Sequence, residues 1–426
     1  MNRVIHHYQH SSPSEQARLR VVAALVGTVF CMPLQLIVME VCFLIALGLA
    51  AYYIWKYGGP PFSCTGLTVP ALGFFAASLL SLAGSPHALM GAAFHAFTVL
   101  QYLLLYMLIS HFLQGRAERR LVIHVLLISA CVVALYGLYQ YAHMLTLHEV
   151  EWVDSEAFPL LQRRMYSTLY NPNLLSAFLL MVMSIAAAMT IWSRHRGHRW
   201  MYGIVFAVLT LCLVLTYSRG AWLSAAGLVF FFGLIWDKRL WFSFLSVPAV
   251  LLFYHGGVAR RLLSIFSRSE ADTSVAMRLD MWEGAIAMFG DHPVLGIGWG
   301  AFKYVYPMYN EFIQQAGITI YHAHNMYLNI LAETGVIGFF FAMWFFFGTF
   351  WYAWRVVRQK QTERFDRATA AFVCAAIVSQ AICGVSDYDL FSTQISLVFW
   401  LFCALFSNMY AEQQKNMKKS LRNNSQ

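Results

Sequence analysis

The chain has 426 residues, 59% of them apolar and only 12% charged, with a mean hydropathy of +0.57 and a formal net charge of +9. A soluble globular protein carries about 25% charged residues. The composition therefore excludes a water-soluble enzyme with a charged shell, and its apolar content excludes a disordered chain.

Lipid is the main solvent, and at about 20 residues per crossing helix the chain has room for roughly a dozen. The N-terminal stretch has no small-residue cleavage site after a short apolar core. It reads as a cytoplasmic tail before a signal-anchor helix. Apolar runs then centre near residues 28, 46, 76, 103, 132, 182, 209, 228, 247, 340, 376 and 399. Met32-Pro33-Leu34-Gln35 forms a hairpin turn between the first two. The predicted fold is an all-α, polytopic membrane protein of about twelve spans. Residues 1–20 are a cytoplasmic tail, 21–255 hold spans one to nine, 256–322 form a large external loop, 323–410 hold spans ten to twelve, and 411–426 are a basic cytoplasmic tail.

Charge sets the orientation, because cytoplasmic loops are enriched in Lys and Arg. With the N-terminus inside, 21 of the 29 basic residues fall on the cytoplasmic side. The other eight are Arg163, Arg164, Arg219, Arg260, Arg261, Arg268, Arg278 and Lys303. An even number of spans with both ends inside follows. Two external loops are long, near 144–170 and 256–322, and loops longer than about 15 residues in compact domains are usually functional or disordered. In the larger one, Met277, Met281, Trp282, Ile286 and Phe289 recur at helical spacing, an amphipathic helix that can lie on the membrane surface. Asp291-His292-Pro293 and the glycines of Gly296-Ile297-Gly298-Trp299-Gly300 break it.

External arginines run against the positive-inside trend, so they need partners. The planar guanidinium fork matches phosphate oxygens bidentately, and a lipid-linked diphosphate suits it. The plain alternative is pairing with Asp154, Asp280 or Asp389, or snorkelling to headgroups. His324 has the unperturbed pKa of a general base, or is a structural histidine at a helix start. A metal at His322 and His324 is disfavoured, since residues two apart diverge on a helix and no third ligand is evident. The eight cysteines show no CxxC pattern, and seven lie in apolar runs, so neither a disulfide nor a cysteine metal site is expected. The Gly296–Gly300 run lacks the preceding strand and the following GK[ST] of a nucleotide loop. Asp387 and Asp389 are a weak carboxylate pair for glycosidase work and read better as positioning an arginine. Glu40, near a helix end, reads as snorkelling or hydrogen-bonded, and the spans otherwise carry almost no acids.

His324-Asn325, nine residues, then Gly335-Val336-Ile337-Gly338 resembles the signature of the O-antigen ligase superfamily. Thr216-Tyr217-Ser218-Arg219-Gly220-Ala221-Trp222 resembles its Ser-Arg-Gly element. Met277-Arg278-Leu279-Asp280-Met281-Trp282 resembles its Arg…Trp element. The three occur in the family's order, over roughly residues 160–345. Phe339 stands where the family often has Thr. Residues 164–175 resemble a bicarbonate-transporter-like branch, in which the His-Asn element is usually replaced. The resemblance implies a metal-independent, inverting GT-C-like glycosyltransferase of the bacterial inner membrane. Its donor would be an undecaprenyl-diphosphate-linked glycan on the periplasmic face, its acceptor lipid A-core or another glycolipid, and no cofactor is implied. It further implies that Arg219 and Arg278 bind the diphosphate and that His324 activates the acceptor hydroxyl. Arg163, Arg164, Tyr217, His322, Asn325 and Asp389 are substrate-binding candidates around them.

Three readings share this chemistry: a ligase, a polymerase extending one lipid-linked glycan with another, and a transferase to a protein hydroxyl. A transporter is the reading of a different class, and it requires charged groups and broken helices at mid-membrane. A cavity open to periplasm and lipid, lined by Arg219, Arg278 and His324, separates transfer from transport.

Overall fold

The computed structural model describes residues 11–59, 65–143, 164–245, 273–316 and 319–424, and among them every regular element is helical. The main helices are α1 (Pro13–Cys31), α2 (Leu36–Tyr57), α3 (Thr68–Ser81), α4 (Ala88–Phe112), α5 (Gly115–Ala142), α6 (Pro172–Trp192), α7 (Arg196–Leu215), α8 (Arg219–Ile235), α9 (Thr273–Asp291), α10 (Met326–Arg358), α11 (Arg364–Cys383) and α12 (Thr393–Asn424). Eight helices are long and apolar enough to cross a membrane: α2, α4, α5, α6, α7, α10, α11 and α12. Two more expected spans, near residues 76 and 228, are the shorter apolar helices α3 and α8. The run near 28 is α1, and the one near 247 lies outside the described residues.

The first hairpin forms where Met32–Gln35 predicted it. α1 stops at Cys31, whose carbonyl accepts from the N–H groups of Leu34 and Gln35, and α2 restarts at Leu36. α2 turns Ile37, Leu44 and Trp55 outward, as a lipid-facing helix does, whereas α6 and α12 are enclosed by their neighbours. α6 packs on α7 and α11, α4 on α12, and α10 on α3 and α11. Glu40 is hydrogen-bonded, accepting from Gln101 Nε2 at 2.7 Å.

The ends of the bundle differ chemically. At one, Arg18 bonds Glu15, Glu118 and the Phe112 carbonyl. Beside it the fully buried Arg119 bonds Asn408 and Glu412, and Arg116 bonds Asp366. These arginines are structural ties among α1, α5, α11 and α12 rather than solvated loop charges. Of these pairs Arg18–Glu118 is largely buried on both sides, and breaking a buried pair typically costs about 3–5 kcal/mol.

The other end carries a small second core. α9 does not lie alone on a surface: Met281, Ala285 and Met288 pack with Ile297, Phe302, Tyr306 and Ile320 over Ala332 of α10. Ile286, part of the apolar face expected to lie on the membrane surface, is 56% exposed. The buried stripe runs through 281, 285 and 288, and Ile286 sits to one side of it.

This layer is seated on a break in α10. At Gly335 the backbone takes φ +60° and ψ −169°, a region essentially open to glycine alone. The break leaves helix carbonyls free, and the loop after α9 uses them. Ile297 N–H donates to Ala332 O and Gly298 N–H to Glu333 O, while Val336 N–H donates to Pro293 O. The buried Glu333 carboxylate accepts from Phe302 N–H at 3.1 Å. Glu333 and the buried Asp366 are acids inside apolar helices, contrary to the near-absence expected of the spans. The Gly296–Gly300 run is a strap: Trp299 donates from its backbone to Ser81 Oγ and from its indole to Thr98 Oγ1.

A Cβ on Gly335 would meet the Val294 carbonyl oxygen at 2.2 Å, whereas one on Gly48 in α2 meets nothing within 4 Å. Gly335→Ala is expected to destabilise the folded protein by about 2 kcal/mol or more. Gly48→Ala should be neutral or mildly stabilising, as read by thermal unfolding of the two variants in the same detergent.

Candidate functional site

His324 lies one residue before the N-cap of α10, at φ +47°. Asn325 caps that helix. Its Oδ1 accepts from Leu328 N–H at 3.0 Å and its Nδ2 donates to Val385 O at 3.0 Å. Both ends of the Asn325 amide are thereby engaged within the protein. Met326 N–H donates to Gly384 O at 2.8 Å, so the start of α10 and the loop after α11 are pinned together.

That loop delivers Asp387 to His324. His324 Nδ1 donates to Asp387 Oδ1 at 2.9 Å, because a carboxylate can only accept. Tyr388 N–H also donates to Oδ1, at 2.8 Å, and Asn173 Nδ2 donates to Oδ2 at 2.9 Å. Asn173 stands in the first turn of α6, where Asn171 caps the helix and Pro172 fills its first position. Arg164 completes the chain, with one guanidinium nitrogen on Asn173 Oδ1 and another on Thr216 O, each at 2.7 Å. Arg164, Asn173, Asp387 and His324 thus form one hydrogen-bonded series across three segments. Asn173 and Asp387 are the members that sequence reasoning missed. Asn173 lay in the Asn-Pro-Asn turn, and Asp387 was weighed only as half of a pair.

The two aspartates of that pair part ways. Burial works to raise the Asp387 pKa, but the His324 hydrogen bond and the charges of His324, His322 and Arg278 hold it well below the usual carboxylate range. Burial and then the charge of Asp387 push Asp389 well above it. Asp389 Oδ2 accepts from the Cys383 thiol, and its buried Oδ1 has no hydrogen-bond partner among the described residues. Asp387, not Asp389, faces the histidine.

Arg278 is close enough for its charge to act on His322, Asp387 and Asp389. No described carboxylate forms an ion pair with it. Arg219 begins α8 after Tyr217, which is buried at φ +54°. A Cβ on Gly220 would meet Ser386 Oγ at 3.0 Å, so the start of α8 touches the residue next to Asp387. Arg163 lies outside the described residues.

His322 packs between His324, at 4.4 Å between centroids, and Phe391, at 5.0 Å, and its Nδ1 accepts from His324 N–H. Ligand atoms of His322, His324 and Asp387 lie within 4.8 Å of one another. This corrects the sequence argument against a metal. The histidines are in a turned loop rather than on a helix, and Asp387 supplies the third group. Two histidines and a carboxylate are a chemically competent donor set. Yet both Asp387 oxygens, His324 Nδ1 and His322 Nδ1 already take part in hydrogen bonds within the protein, which an ion would have to displace.

Burial, helped by the charges of His324 and Arg278, pushes His322 down from 6.5 to about 3. The unfolded chain therefore binds more protons than the folded one between those values, so folding stability falls as pH drops from 6.5. The depressed Asp387 adds to the loss lower in the acid range. The raised Asp389 works in the opposite sense, so the His322 contribution is read as a difference: in chemical denaturation across pH 4–8, stability should fall less below pH 6.5 in His322→Gln than in wild type.

Residues 204–343 match the family model described as O-antigen ligase. The matched stretch runs from α7 into α10 and includes Arg219, Arg278, His322, His324 and Asn325, leaving Arg164, Asn173 and Asp387 outside it. No curated protein matches the chain. With eight helices among the described residues long and apolar enough to cross a bilayer, the chain reads as a membrane protein, and its residues 204–343 are similar to the O-antigen ligase family.

Proposed function

We propose that the protein transfers a preassembled glycan from undecaprenyl diphosphate to the hydroxyl of a lipid-linked acceptor, such as lipid A-core, at the periplasmic face of the bacterial inner membrane. The observation that carries this reading is the His324–Asp387 pair at 2.9 Å, in the field of Arg278. With Nδ1–H held by Asp387, Nε2 is the nitrogen left to take a proton. It removes the acceptor hydroxyl proton as that oxygen bonds the anomeric carbon. The bond from that carbon to the diphosphate breaks at the same centre, and inversion follows from attack opposite the leaving group. Asp387 stabilises the imidazolium that forms. Arg278 and Arg219 stabilise the negative charge growing on the diphosphate, and fixed cations at a low-dielectric boundary favour the transition state over the ground state. No step in this scheme requires a metal. Arg164 and Asn173 act through Asp387 and are positioning residues.

The test is transfer by purified protein given undecaprenyl-diphosphate glycan, with and without lipid A-core, read by mass spectrometry. Glycan on the core only when acceptor is present supports a ligase. Longer lipid-linked ladders without acceptor mean a polymerase, and no product in either case removes the reading. His324→Ala is expected to abolish transfer in a protein that still folds. Asp387→Asn should lower kcat by about 10²-fold or more. Arg278→Lys should be impaired, because a point charge does not replace the fork. EDTA should leave the rate unchanged; a chelator-sensitive rate would instead assign His322, His324 and Asp387 to a metal.

A further inference from the structure

Beside the histidines lies a cavity of about 250 Å³ whose walls include Phe94, Phe97, Gly300, Lys303, Tyr304 and Phe391. None of these residues enters the scheme above. Two rings stand between the cavity and His324: Phe391, on the cavity wall, packs against His322 at 5.0 Å, and His322 against His324 at 4.4 Å. Arg219 approaches from elsewhere, through the Gly220 contact with Ser386. One of its lining residues, Phe97 on the membrane-length helix α4, is 67% exposed, as an apolar side chain turned to lipid would be.

Its chemistry is selective. Aromatic faces hold the apolar faces of sugars, and a few polar groups set orientation. Among the described residues the charge on the wall is Lys303, whose ammonium lies 4.8 Å from the Tyr304 ring centre and 5.6 Å from that of Tyr321. No described carboxylate forms an ion pair with it. A cation held among rings, in a cavity with an exposed apolar side chain on its wall, is complementary to an anion on an amphiphile, and lysine serves phosphate as a point charge. Gly300 shapes the wall, because a Cβ there would meet the Phe94 ring at 2.5 Å.

We propose that this cavity is the acceptor subsite, and that it takes a phosphate-bearing sugar of a membrane-anchored glycolipid, with the phosphate on Lys303 and the sugar against the rings. The proposal rests on the transfer reading above. It places the acceptor on the Phe391 side of the histidines and the donor diphosphate on the arginine side.

The experiment uses the full chain in nanodiscs, with phosphorylated lipid A-core, the same glycolipid dephosphorylated, and undecaprenyl-diphosphate glycan as donor. Lys303→Gln is expected to raise the acceptor KM about tenfold, the size of one lost charge-assisted contact. It should leave kcat and the donor KM unchanged. Dephosphorylated acceptor should show the raised KM on wild type and variant alike. An unchanged acceptor KM in Lys303→Gln, a matching rise in donor KM, or a phosphate preference that survives the substitution would overturn the proposal. Native mass spectrometry of phosphorylated lipid A-core binding to both proteins separates the two readings. Absence of product from wild type removes the transfer reading, while equal binding by wild type and variant removes the subsite.

Discussion

At Gly335 a membrane-length helix stops being helical for one residue, and the end of the molecule that carries His324 and Asp387 is assembled around that interruption. An unbroken helix would keep its carbonyls for itself. Here Ala332 and Glu333 offer theirs to the N–H groups of Ile297 and Gly298, and Pro293 takes the N–H of Val336. Backbone groups at such depth have to be satisfied within the protein, so the exchange fixes the loop tightly. Glycine is required twice over, by a backbone conformation with positive φ and by the close passage of Val294. The buried Glu333 carboxylate then extends the anchorage to Phe302. The signature glycine therefore has a mechanical meaning. It lets the layer that carries α9 and Arg278 lock onto the helix whose first residues follow His324.

Asp387 is the second point of convergence. A buried carboxylate is costly unless its oxygens are fully used, and here three donors from three segments meet it. That demand fixes the ring of His324 more firmly than a surface loop could. It also links residues far apart in sequence, since Asn173 and Arg164 reach the histidine only through this carboxylate. Asp389, two residues on, faces inward toward Cys383. The pKa values of these two acids are thereby driven in opposite directions, because one has cationic and hydrogen-bonding neighbours and the other chiefly burial and a neighbouring anion.

The ends of the bundle divide the labour. At one, arginines are consumed by buried pairs with Glu118, Asp366 and Glu412 and hold helices together. At the other, Arg278 lacks a carboxylate partner among the described residues and acts on the histidine and aspartates as an uncompensated field. An arginine spent in an ion pair and one without a carboxylate partner differ in what surrounds them, not in residue type.

Much of this could be read along the chain. Apolar runs locate the helices, the Met32–Gln35 turn is visible, and the three motifs point to the O-antigen ligase family whose model matches residues 204–343. These are local signals of composition and short spacing. The sequence could not show that α9 packs on α10 with Ile286 left outside, nor that the Gly296–Gly300 run is a strap. It did not expose the acids buried at Glu333 and Asp366, and it weighed Asp387 and Asp389 as equals. Each of those outcomes depends on which distant backbone or side chain arrives alongside: Val294 at Gly335, Ser386 at Gly220, Asn173 at Asp387. The sequence alone determined that the chain lives in lipid as helices and which residue types could handle a diphosphate and a hydroxyl. The tertiary structure decided which carboxylate holds the histidine and which arginines are tied up in pairs, because burial and partnership are properties of neighbours in space.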